Sequence, residues 1–107
     1  LAEKLHALSL PRPAGRLNTR VKDLVDVILL QRRGLPPKNA LRDAAEATFA
    51  RRATHALPTA IDVPTEAWKL EYQRFATALD LTSYAPTVHD AAVSLNRLVE
   101  TIREDGA

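Results

Sequence analysis

The chain has 107 residues, no cysteine, three histidines and a formal net charge of +2 at pH 7. That bounds it to one small domain without a disulfide framework or thiolate site, and the scattered His6, His55 and His89 offer no metal-ligand spacing, so no metal site is expected within it. No apolar run approaches the roughly 20 residues that span a bilayer, and the first residues lack a secretory pattern, so a soluble, cytoplasmic protein with no membrane partner is expected.

The spacing of Leu1, Leu5 and Leu8 predicts a first helix that stops before Pro11, because a residue preceding proline is pushed out of the α region. A leucine already in helical step at the first position, with no initiator Met or capping residue ahead of it, reads as a piece of something longer. Pro11, Pro13, Gly15 and Asn18 then form a loop, in which Asn18 or Thr19 can accept from the first free N–H groups of the next helix. That second helix extends from about Arg20 to Arg32. Gly34 suits a left-handed cap at its end, and Pro36-Pro37 stops continuation. A third helix begins near Lys38 with Leu41, Ala45, Thr48 and Phe49 inward. Its Ala40, Ala44, Ala45 and Ala47 keep it slim enough for close approach to a neighbour.

From His55 to Val63 there is no helical period, so the segment reads as an ordered connector anchored by Leu57 and Ile61. A fourth helix from Thr65 to about Leu79 carries Trp68, Tyr72, Phe75 and Leu79 on one face. Such a stripe can stack bases when exposed, but at helical spacing it reads as core. The fifth helix opens with Thr87-x-x-Asp90, a relative of the capping box, and turns Val88, Ala92, Leu95, Val99 and Ile102 inward until about Glu104. The class is all-α, a compact bundle of about five helices forming one domain.

One residue breaks the apolar pattern. On the second helix Val21, Leu24, Val25, Ile28 and Leu29 form a stripe and Val27 and Leu30 lie on the other side, so Asp26 falls where an apolar residue is called for. A carboxylate in such a place costs several kcal/mol unless it is paired or hydrogen-bonded. A bland solution is an ion pair with Lys22 four residues back, or a cap on a neighbouring backbone. The charge along the chain is also uneven. Arg12, Arg16, Arg20, Lys22, Arg32 and Arg33 crowd the first third, where an anionic partner would meet the molecule.

Several enzyme classes are set aside by motif. Ser9, Ser83 and Ser94 lack a nucleophile-elbow context, the glycines form no phosphate-cradling loop, and no H-E-x-x-H occurs. What remains is A-E-K-L-H-A-L, Ala2 to Leu8, and R-V-K-D-L-V-D-V-I-L-L, Arg20 to Leu30. They bring ammonium, guanidinium and carboxylate groups to adjacent helices, the chemistry wanted around a nucleoside triphosphate.

In these two motifs the chain resembles the nucleotidyltransferase toxins of the AbiEii/AbiGii type, found in toxin–antitoxin and abortive-infection systems. The likeness is to the C-terminal half, where an A-E-K-L-x-A-L helix and an R-x-K-D-L-x-D-L helix are the third and fourth motifs. The resemblance implies that Lys4 is the motif lysine and Asp26 the motif aspartate, both catalytic. Arg20, Lys22 and Asp23 would complete the substrate-binding signature, with Arg12 and Arg16 on the basic turn. The family's first two motifs, a G-S segment with metal-binding acidic residues on a nucleotidyltransferase sheet, have no counterpart here. The resemblance therefore implies the C-terminal helical part of a larger NTP-dependent nucleotidyltransferase, catalytically incomplete alone. In the complete parent it would use Mg²⁺ and NTP, with the 3′ end of tRNA as acceptor in some relatives and a cognate antitoxin as partner.

Other readings stay open beside this one. Lys4 lies next to the leucine stripe, where a lysine commonly snorkels its head to water. A basic nucleic-acid-binding domain acting through Arg12, Arg16, Arg20 and Arg32 would need a polar recognition helix, and the second helix is too apolar for that. A helical interaction module would self-associate through apolar surface left open on the first two helices.

Overall fold

Apolar side chains on more than one face make α2 (Val21–Arg33) the helix around which much of the molecule packs. The computed structural model describes residues 1–9, 20–53 and 56–103. Flanking α2 in the chain are α1 (Ala2–Ser9), α3 (Lys38–Arg52), α4 (Thr65–Ala78) and α5 (Val88–Arg103), and no described residue lies in a strand. The all-α, five-helix expectation holds.

α2 packs against α1, α4 and α5; α3 packs against α1 and α5, and α4 also meets α5. Val21, Leu24, Val25, Val27 and Ile28 are buried along α2, and Leu29 and Leu30 are half-buried. At about 1.5–3 kcal/mol per buried aliphatic side chain, that burial outweighs the cost of holding carboxylates part-buried on the same helix. Reciprocal hydrogen bonds pin α2 to α5: Gln31 Nε2 donates to the Ser94 carbonyl at 3.2 Å and Ser94 Oγ donates to Gln31 Oε1 at 2.9 Å.

The helix ends follow local chemistry. Gly34 takes φ 110°, where a Cβ is disfavoured, and its N–H donates to the carbonyls of Leu30 and Gln31 that α2 leaves open. Arg20 occupies the N-cap of α2 without a side-chain cap bond, and the candidate caps Asn18 and Thr19 lie outside the described residues. Thr87 caps α5 as its motif predicts: its Oγ1 accepts from the Asp90 N–H at 3.1 Å and donates to Asp90 Oδ2 at 2.9 Å. The connector is anchored as expected, with Ile61 buried and Leu57 half-buried. Asn96 holds it by both ends of its amide, accepting from Ile61 N–H at 2.7 Å and donating to the Ile61 carbonyl at 3.0 Å.

The structure corrects the sequence reading on α4. Trp68 and Tyr72 are buried and Phe75 half-buried, but Leu79 is 42% exposed and Ala76 takes its place in the core. The cause is the turn that follows. Asp80 adopts φ 58°, the Leu81 N–H closes on the Ala76 carbonyl at 2.8 Å, and Leu81 enters the core instead. On α3, Leu41, Ala45, Thr48 and Phe49 are inward as expected, and Ala40, Ala44 and Ala47 are exposed. The large exposed apolar side chains, Leu70, Leu79, Tyr84 and Val93, lie on α4, α5 and the turn between them. Among the described residues none is on α1 or α2, the helices on which the alternative of a self-associating module would leave apolar surface open.

Candidate functional site

α1 is only eight residues long, and its place is set by what it buries: Leu5, His6 and Leu8. The His6 ring meets Phe49 of α3 edge-on at 5.1 Å between centroids, which fixes the rotation of the helix. Consecutive helical residues point about 100° apart. Glu3 therefore reaches α3, and Lys4 reaches α2.

Asp23 and Asp26 stand one turn apart on α2, and the Lys4 ammonium sits between them, 3.1 Å from Asp23 Oδ1 and 3.0 Å from Asp26 Oδ2. Asp23 keeps 15% of its side-chain surface and Asp26 24%. The apparent misfit of Asp26 is thus resolved at the α1–α2 seam, where a cation from the other helix meets it. Hydrogen bonding to Asp26 first, and to Asp23 next, holds the Lys4 ammonium above the usual lysine range against a smaller opposing effect of burial.

Arg20 and Lys22 belong to the same network as outer members. Arg20 Nη1 is 3.5 Å from Asp23 Oδ2 and Lys22 Nζ 3.5 Å from Asp26 Oδ2. The within-helix pair expected for Asp26 therefore exists, but Lys4 is its nearer partner. The structure thus brings together Lys4, Arg20, Lys22, Asp23 and Asp26; Arg12 and Arg16 lie outside the described residues.

Beside this cluster opens a recess of about 300 Å³ lined by Lys4, Asp26, Leu29, Leu30 and Arg33. It joins an ammonium, a carboxylate and a guanidinium to an apolar wall. Arg33, Leu29 and Leu30 had not been singled out as site residues. Their signal was available in the spacing, since positions 26, 29, 30 and 33 follow i, i+3, i+4, i+7.

Among the described residues no three His, Cys, Asp or Glu side chains converge as metal ligands, and Asp23 and Asp26 already share the Lys4 ammonium.

An all-helical fold brings the A-E-K-L and R-x-K-D-L-x-D motifs together beside a charged recess. The family model described as nucleotidyl transferase AbiEii toxin, type IV TA system, matches residues 1–94. The chain belongs to the AbiEii nucleotidyltransferase toxin family. The match runs past both motifs and into α5. No curated protein matches the chain. Among the described residues no helix is long and apolar enough to cross a membrane.

Proposed function

We propose that the chain is the C-terminal helical portion of a nucleotidyltransferase toxin, in which Lys4 and Asp26 serve transfer of a nucleoside monophosphate from an NTP to an acceptor such as tRNA. The observation that carries this is the Lys4–Asp26 ion pair, which joins the two family motifs at the edge of a recess. An ammonium has three donors, and Asp23 and Asp26 engage two of them. The third remains for a phosphate oxygen, on a group that the carboxylates both aim and keep charged.

In phosphoryl chemistry of this kind, positioning and charge neutralisation supply most of the catalysis. Lys4 provides the neutralisation, Asp26 and Asp23 the positioning, and Arg20 and Lys22, with Arg12 and Arg16 earlier in the sequence, attract the anionic substrate. The Mg²⁺ that such transfer uses is assigned to carboxylates outside these residues, so the chain alone is inactive. Its partners are NTP and, from the family's place in toxin–antitoxin systems, an antitoxin; its setting is the cytoplasm.

The test is label transfer from NTPs to total tRNA, with Mg²⁺, by the complete toxin, by this chain alone and by the complete toxin carrying Asp26→Asn. The complete toxin labels RNA, the chain alone does not, and Asp26→Asn lowers transfer by about 100-fold or more, far beyond what the small loss of stability from weakening its ion pair with Lys4 accounts for. Turnover by the pure chain overturns the reading. So does an Asp26→Asn protein that melts several degrees lower yet turns over normally once folded, because Asp26 is then an ion-pair residue only.

A further inference from the structure

Arg33 ends the stripe of α2 that begins at Asp26 and passes through Leu29 and Leu30, and these four residues with Lys4 line one recess. The stripe covers about 10 Å at 1.5 Å rise per residue, so a ligand touching both ends must be elongated. The cations around it differ in how they are engaged. Lys4 is held by two carboxylates, and Arg20 and Lys22 lean on the same two. Arg32 next door donates to the Asp80 carbonyl at 2.6 Å. Arg33 is exposed and makes no hydrogen bond or ion pair with any described residue. An incoming anion therefore meets Arg33 without displacing an existing partner.

We propose that Arg33 is the polyphosphate-binding residue at the far end of this recess, gripping the phosphate tail of a nucleoside triphosphate whatever its base; this rests on the nucleotide reading above. A guanidinium presents a planar fork that matches two phosphate oxygens at once, which an ammonium does not. The Asp26 carboxylate is offset by Lys4 at its own end of the stripe, and the tail runs from the third donor of Lys4 to the fork of Arg33. Leu29 and Leu30 carry no hydrogen-bonding side-chain atoms, so the wall between has nothing with which to read the edge of a base.

The experiment is an NMR titration of the chain with inorganic tripolyphosphate, ATP and CTP, repeated for Arg33→Gln, Arg33→Lys and Lys4→Met. Arg33→Gln is expected to weaken all three ligands by the same factor, about tenfold, the scale of one charge-assisted hydrogen bond. Arg33→Lys, which keeps the charge but not the fork, falls between. If Arg33→Gln binds like the wild type while Lys4→Met is weakened, the Arg33 assignment fails and the nucleotide reading stands. A loss confined to ATP or to CTP makes Arg33 a base reader and overturns the assignment as stated. If the wild-type chain binds none of the three at millimolar concentration, the nucleotide reading fails and takes the assignment with it.

Discussion

Glu3 and Lys4 are neighbours on α1, and each is gripped by two opposite charges from another helix. Glu3 takes Arg51 Nη2 at 2.5 Å and Arg52 Nη2 at 2.8 Å, with Arg52 Nε at 3.1 Å. Lys4 takes Asp23 and Asp26 at nearly the same distances, with the signs reversed. The surroundings separate them. Glu3 is 49% exposed and its arginines 65% and 53%, whereas the Lys4 carboxylates keep only 15% and 24%. Coulomb attraction is weak in water and stronger where water is partly excluded, so similar contacts carry different weight. They also differ in what is left over. Both Glu3 oxygens are taken by guanidinium groups, while Lys4 keeps a donor free at the mouth of a recess. One cluster is saturated and ties α1 down; the other is unsaturated and faces an opening.

The sharpest way to break that contrast is to remove the central charge of the second cluster. Lys4→Met leaves Asp23 and Asp26 one turn apart on α2 with only Arg20 and Lys22, at 3.5 Å, to offset their repulsion. The expected loss is about 1 kcal/mol, the upper end for a partly exposed ion pair, read as a lower urea midpoint at unchanged slope. Adding Asp23→Asn to Lys4→Met should recover part of the loss, because one of the two repelling charges is gone. An additive second loss would mean that the carboxylates do not act through Lys4.

These clusters were unequally visible in the sequence. Helices were legible because leucine and valine recur at helical period and Pro11, Gly34, Pro36, Pro37 and Pro64 punctuate them. Asp26 was legible as an anomaly, and its motif supplied Lys4 as a site partner, although the ion pair itself depends on how α1 packs on α2. The Glu3 cluster was not legible. Its arginines lie 48 and 49 residues away and meet Glu3 only because α3 returns to α1. Leu79 was misplaced for a similar reason: the positive φ at Asp80 that redirects the chain falls on a residue other than glycine, so no composition signal announces it.

A second prediction separates the clusters by pH. Lys4 has its pKa raised above the ordinary 10.5, chiefly by hydrogen bonding to Asp26. A raised pKa means the folded state holds the proton more tightly, so the stabilisation is fully present below 10.5 and is lost as pH rises through the folded value. The difference in unfolding free energy between wild type and Lys4→Met should therefore be flat from neutral pH to about 10 and close above it. Tyr72 also loses stability at the alkaline end, since burial pushes its phenol up to about 12, but it is common to both proteins and cancels in the difference. A gap that persists unchanged into strong alkali would show that the lysine charge is not what stabilises the seam.

The smallest effect belongs to Glu3→Gln. Its carboxyl is held below the ordinary 4.5, first by hydrogen bonding to Arg52; desolvation opposes this, and the charges of Arg52 and Arg51 with the Arg51 hydrogen bond lower it further. A lowered pKa gives stabilisation that is present above 4.5 and lost as pH falls through the folded value, the opposite end of the scale from Lys4. At neutral pH the substitution should shift the melting curve by no more than the scatter of replicates, because an exposed pair is screened by water and salt and the amide still accepts from one arginine. Nucleotide titration of the same variant should match the wild type, since the Arg51–Arg52 side of α1 does not line the Lys4 recess. A Glu3→Gln chain that loses as much stability as Lys4→Met at neutral pH would reverse the assignment, making the α3 contact the one that holds α1 in place and the Lys4 cluster a passenger on it.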